Sequence, residues 1–500
     1  MTADRLINVL ARHRIIISLA LCCWLLMLAL VARWNHDESQ YVAAAILSLD
    51  GLIFRDFMSL QPPMQAWVYA PIPLFFGTHA FIAMRLATAS AALITLWATY
   101  RAQRLLDVPV GAALASILLM ASCSTFQFTA SIIRNDMLAA MFAAFGLWAF
   151  LRATGKGGGR FHCLLSGLAF GLAAATKLSF VPVAAMAAIL ALWIWGRHNI
   201  ASVSAMALGM IMGGLPALAS FLTAPAQFLY GVLEFGSTAP FQWYTITGNA
   251  SELTLFEKAK DIISSLAYGP ALLVLVIVVV HWIRRRPWTQ TDIILACLLI
   301  AALAGAALPT PTHTQYVLPL LPFLFVAFGA LVKNAPPRGR EVYLLAAFCA
   351  IGLLYGAAHY AGALAGNTVT PLTVDRQAHW IGDRLHERAT SGVIVTMAPE
   401  MTIDSGYRFD IRFATGPFIF RSATLISPDK AKRMNVAHPD SLWSDMERHP
   451  PAAILMGYED SWGALPPIDL MLADYAIAHG YEQLSMPDGK GRLFIRSRRN

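Results

Sequence analysis

The sequence predicts a polytopic α-helical membrane protein of about eleven transmembrane helices, closed by a small C-terminal α/β domain. Three observations carry this. The 500 residues are 57% hydrophobic and only 13% charged, a balance too apolar for a water-soluble globular chain. Apolar runs long enough to cross a bilayer recur through the first two thirds of the chain. From Thr368 onward the charge density rises, and short strand-like runs take over.

Ile15 to Ala32 is a run of about eighteen residues without a charge, the length of a bilayer span. Arg5, Arg12 and Arg14 precede it and place the N-terminus in the cytoplasm. The run exceeds a signal-peptide core, and no small-x-small cleavage site follows it, so it reads as a retained anchor. The segment 34–65 is then the first external loop. Within it Val42, Ile46, Leu49 and Ile53 recur at helical spacing, a stripe suited to a helix lying on the membrane surface.

Further spans are expected at Ala80–Tyr100, Val110–Ser124, Met137–Leu151, Phe161–Thr176, Phe180–Trp195 and Ile200–Leu222. Ala267–Ile283, Ile293–Leu308, Tyr316–Val332 and Val342–Tyr360 complete the set. Alternate threading gathers Arg101/Arg104, Arg152/Lys156/Arg160, Arg197, Arg284-Arg285-Arg286 and Lys333/Arg338/Arg340 on the side of the N-terminus. An odd count puts residues 368–500 outside, so the two expected domains are 1–367 in the membrane and 368–500 in the periplasm. In the latter, Asp375–Arg388 and Ile468–His479 read as helices. Gly392–Met397 and Ala452–Met456 read as strands, and Leu484–Arg496 as a terminal hairpin turning at Asp488-Gly489.

Several function classes fall away. The net charge of +8 comes from loops that orient a membrane protein, so it points to no nucleic acid partner. The cysteines (Cys22, Cys23, Cys123, Cys163, Cys297, Cys349) lie almost all in apolar runs without metal or disulfide spacing. Gly155-Lys156-Gly157-Gly158-Gly159 lacks the strand–helix context and the Ser/Thr of a phosphate loop; it is a connector.

What remains is a set of ionisable groups on one face. Asp37-Glu38 and Arg55-Asp56 lie in the first external loop; Arg134-Asn135-Asp136, Lys177, His313 and Tyr316 stand at outer ends of spans. Such groups at a membrane boundary need partners, and their common sidedness suggests a polar cavity. Carboxylates can deprotonate a hydroxyl, while Lys, Arg, His and Tyr can hold a phosphate. Together they suit transfer of a group from a phosphate leaving group to a hydroxyl. Each also has a bland reading. Asp37 with Gln40 forms a modified capping box, Asp136 or Asn135 caps a span, Arg134 pairs with Asp136, Lys177 snorkels, and His313 is an ordinary loop histidine.

These pieces resemble a known group. Asp37-Glu38-Ser39-Gln40-Tyr41, Phe54-Arg55-Asp56-Phe57, Gln61-Pro62-Pro63-Met64, Phe76-Gly77, Met84-Arg85-Leu86, Arg134-Asn135-Asp136, Thr176-Lys177 and Tyr316-Val317-Leu318-Pro319 occur in order. Their order resembles the GT-C type polyprenyl-phosphate-dependent glycosyltransferases. The closer likeness is to the family 39-like group of protein O-mannosyltransferases and lipid A aminoarabinose transferases. The resemblance implies a polyprenyl-phosphate-linked sugar donor and inverting transfer on the external face of the inner membrane. The acceptor would be lipid A, another glycan or a protein. Asp37 would be the general base, supported by Glu38, with Arg134 and Asp136 shaping the acceptor or phosphate site and Lys177 and Tyr316 near the lipid phosphate. Gln315 stands where a basic residue is common, and Gln61 where Lys is common. Asp37, Glu38 and Asp136 are hard oxygen donors able to hold a divalent metal, though nothing in their spacing requires one. A lipid transporter or flippase is the alternative class, but it predicts internal repeats and mid-span charges, neither of which is evident. A non-catalytic scaffold leaves the first-loop carboxylates unexplained.

Overall fold

The structure, a computed structural model, describes residues 3–155, 157–285, 287–337, 339–461 and 465–497. Of the residues used above to orient the chain, Lys156, Arg286 and Arg338 lie outside these ranges. Among the described residues, seven helices are long and apolar enough to cross a membrane, or up to nine if each of two bent pairs is one span. Arg160–Thr176 and Leu320–Asn334 are shorter apolar helices. The expected eleven is reached only if both of these cross as well. The protein is a multi-pass membrane protein.

The chain divides into two compact units. The first comprises Met1–Ala29, Leu86–Pro216 and Thr254–Gly362. Its helices pack through small residues, because lipid offers no hydrophobic drive and close backbone approach must supply the contact. Gly167 and Gly171 face Gly209 and Gly213 across one such seam. A Cβ on Gly167 would sit 2.0 Å from the Met206 carbonyl oxygen, and one on Gly209 2.1 Å from that of Leu164. Two spans are broken. Val110–Ser122 and Ser124–Ser131 meet at 70°, where Cys123 leaves helical geometry. Leu255–Ala267 and Ala271–Arg284 meet at 97°, at a segment containing Gly269 and Pro270.

The second unit comprises Leu30–Arg85, Ala217–Leu253 and Ala363–Asn500. These units are not the two segments 1–367 and 368–500. The C-terminal portion shares its unit with the first loop and with residues 217–253. Strands β1 (Ile394–Thr396), β2 (Ala453–Met456), β3 (Glu482–Ser485) and β4 (Arg492–Ile495) form one sheet in the order β1-β2-β4-β3. β1 and β2 are parallel, as a crossover connection requires, and β3–β4 is the expected antiparallel hairpin. Val395, Ile454, Met456 and Phe494 build a core with Leu472 and Ala476 of the helix Leu470–Ala478.

The first loop differs from expectation. Its helix, Glu38–Leu47, ends before Leu49 and buries Glu38, Ser39 and Tyr41–Ala45. A helix buried around most of its circumference is a core element, so the membrane-surface reading is corrected. The alanines 43–45 allow this close packing, and of the stripe that suggested a surface helix only Val42 and Ile46 lie on it.

Candidate active site

The expected residues fall into two groups, one in each unit. In the first unit, the helix Asn135–Thr154 begins as the chain leaves an extended stretch at Arg134. That start brings Arg134 back onto the first helical turn, where its Nε donates to Asp136 Oδ2 at 3.0 Å. Lys177 follows the helix Arg160–Thr176, and its ammonium donates to the other carboxylate oxygen, Asp136 Oδ1. Asn135 Nδ2 holds the Thr176 carbonyl at 3.0 Å and fixes the two helix ends together. The Lys177 ammonium also lies 4.8 Å from the centroid of the Tyr316 ring, and the His313 ring is 5.8 Å from that of Tyr316. All five expected residues of this unit therefore meet.

Arg134, Asp136 and Lys177 are all buried. Two cations against one carboxylate leave the cluster with a positive balance in a place where charge is costly. The unusual position of Lys177 is offset by Asp136, so a lipid phosphate is not needed to explain it. The capping reading of Asp136 is also displaced, since both its oxygens are engaged by cations.

In the second unit, Glu38 and Arg85 have no exposed side-chain surface and pair at 2.5 Å. Glu38 Oε2 also accepts the Asn35 backbone N–H at 3.1 Å, and Arg85 reaches the carbonyls of Ala32 and Arg33. The Asn35 side chain in turn accepts the Asp37 N–H at 2.9 Å. Asp37 itself makes no side-chain cap bond, and its backbone is already helical. The expected capping box is therefore absent: Glu38, bonding back to Asn35, does the local work. Asp37 keeps 25% of its side chain exposed and lies 3.4 Å from His36 Nε2. Arg55 and Asp56 form an exposed pair at 2.7 Å, and Asp56 Oδ2 accepts the Leu52 N–H at 2.7 Å. That bonding ties their own turn, where Phe54 adopts φ 70°.

Three contributors were not among the expected site residues. Arg85 had a signal, a lone charge inside an apolar run. Trp34 and Glu400 had none, because they meet across 366 positions: the indole Nε1 donates to Glu400 Oε1 at 2.9 Å. Burial, opposed by that bond, pushes the Glu400 carboxyl well above the usual carboxylate range.

The metal reading fits poorly. Glu38 is engaged by Arg85, and Asp136 by Arg134 and Lys177, so a divalent ion would have to displace buried cations from both.

Residues 60–222 match the family model described as dolichyl-phosphate-mannose-protein mannosyltransferase. A search of curated proteins found no match. Among solved structures, the chain is similar to ArnT from Cupriavidus metallidurans bound to undecaprenyl phosphate. That similarity has a TM-score of 0.60 and 15% identity, and covers 96% of this chain and 97% of that one. Apo ArnT from the same organism gives 0.58 and 15%, covering 97% and 98%. The fold is thus ArnT-like, as the GT-C resemblance implied.

Proposed function

We propose that the protein is a membrane glycosyltransferase that moves a sugar from a polyprenyl-phosphate-linked donor to a hydroxyl of an envelope acceptor. The acceptor is a glycolipid such as lipid A, another glycan or a protein, and the reaction takes place at the periplasmic face. The observation that carries this is the contrast within the first-loop pair. Arg85 holds the Glu38 carboxylate without exposure, while the adjacent Asp37 keeps a part-exposed carboxylate, its backbone N–H bonded to the Asn35 side chain.

In this reading Asp37 takes the acceptor proton as the new glycosidic bond forms. The bond from the sugar carbon to phosphate oxygen breaks, and the lipid phosphate leaves with the electron pair. In the first unit, the positively balanced cluster of Arg134, Asp136 and Lys177, with Tyr316 and His313 beside it, has the chemistry to bind a lipid phosphate. The similarity to ArnT, solved with undecaprenyl phosphate, supports a polyprenyl-phosphate carrier. The basic loops support a cytoplasmic N-terminus in the inner membrane, with residues 368–500 as the periplasmic portion.

Asp37→Asn tests the assignment, because it removes the base while disturbing little else. A strain lacking the protein should lose an envelope glycoconjugate that the wild-type chain restores. Asp37→Asn, present at wild-type level, should fail to restore it. Full restoration would remove Asp37 from the mechanism.

A further inference from the structure

Within the second unit, three metal-ligating side chains meet that the proposed transfer reaction does not use. His79 lies directly before the long helix Ala80–Leu105, and Asp375 and His379 stand four residues apart on the helix Pro371–Glu387. That spacing puts the two on one helix face. One ligand atom from each of the three lies within 4.8 Å of the others.

We propose that His79, Asp375 and His379 form a binding site for a divalent transition metal, zinc in the first instance. Two neutral imidazoles and a carboxylate are a donor set suited to zinc, with water in the fourth position. His79 Nδ1 and Asp375 Oδ1 are 2.9 Å apart. Two ligands at tetrahedral zinc are separated by about 3.3 Å, so an ion can replace the proton they share with little movement.

The histidine on the helix is set for the same task. His379 Nδ1 lies 2.8 Å from the Asp375 carbonyl oxygen, which can only accept, so this nitrogen carries the proton. The lone pair is thereby left on Nε2, the arrangement by which a ligand histidine is oriented through its other nitrogen.

The surroundings hold the ligands in register. Asp404 accepts the N–H groups of Ala80 and Phe81 at 2.9 and 3.1 Å, fixing the backbone next to His79. The same 403–405 turn presses on the ligand-bearing helix so closely that a Cβ on Gly382 would lie 2.3 Å from the Ser405 carbonyl oxygen. Bound metal would tie segments 296 positions apart, securing the entry to the C-terminal portion. This role is independent of the transfer reaction.

The test uses the full chain, carrying an affinity tag without histidine, stripped with a chelator and purified in detergent. Zinc titrated against a chromophoric chelator should show one more tight equivalent in wild type than in His79→Ala, Asp375→Asn or His379→Gln. Cobalt(II) should give visible tetrahedral bands in wild type only, and zinc should raise its melting midpoint by several degrees. His379→Gln changes a part-exposed ring and guards against misfolding of the other two. Equal zinc stoichiometry in wild type and the folded variants, with no cobalt bands, would overturn the site.

Discussion

Arg85 and Glu38, 47 positions apart, form an ion pair from which water is wholly excluded. The pair joins the start of the first-loop helix to the opening turns of the helix Ala80–Leu105, and so holds Asp37 in place. Removing one partner leaves an uncompensated buried charge, at a cost of about 3–5 kcal/mol. Glu38→Leu and Arg85→Met should each lower the unfolding midpoint sharply in detergent. The double variant should recover much of the loss, and strictly additive losses would contradict the pairing.

Lys177→Ala should weaken binding of a polyprenyl-phosphate analogue about tenfold or more, the loss expected for one charge-assisted hydrogen bond. It should also destabilise the fold, since Asp136 would keep only Arg134. Lys177→Arg should restore stability better than affinity, because a planar fork replaces a compact ammonium poorly. Direct binding to purified, folded protein checks affinity and thermal unfolding checks stability; unchanged affinity in Lys177→Ala and Tyr316→Phe would dismiss the phosphate role. Absence of binding to folded wild type would favour a scaffold or a transporter of an unrelated substrate.

Burial raises the Glu459 carboxyl to about 7 despite the Arg421 guanidinium at 2.5 Å, with Asp469 and Asp460 adding to the rise. Between its ordinary value of 4.5 and about 7, the folded chain holds a proton that the unfolded chain has released. Stability from this group therefore falls as pH rises through that window, by at most roughly 3 kcal/mol. Glu459→Gln should flatten this part of the profile. Thermal unfolding at pH 4.5 and 7.5 reads the difference, and identical slopes would refute it.

A periplasm-dependent reporter fused after Asn500 should be active, and one fused after Arg286 silent. The opposite pattern would move every proposed site residue to the cytoplasmic face.

Much of the architecture was legible because bilayer insertion is written locally. An uncharged run such as Ile15–Ala32 must be helical where it crosses a bilayer, since no water there can satisfy its backbone. The C-terminal strands and hairpin were legible for a related reason: short apolar runs and the turn residues Asp488-Gly489 are short-range signals. The Arg134–Asp136–Lys177 convergence was half visible, as charges on one side of the membrane that needed partners.

The sequence by itself determined the class, the helical content and the residues that carry charge at the membrane boundary. Only the tertiary structure decided how those charges pair. It set Glu38 against Arg85, Asp136 between two cations, Trp34 on Glu400 and His79 beside Asp375. The physical reason is distance along the chain. Helix formation and insertion depend on neighbours within a few turns, whereas a buried charge takes whichever partner packing brings, from up to 366 positions away.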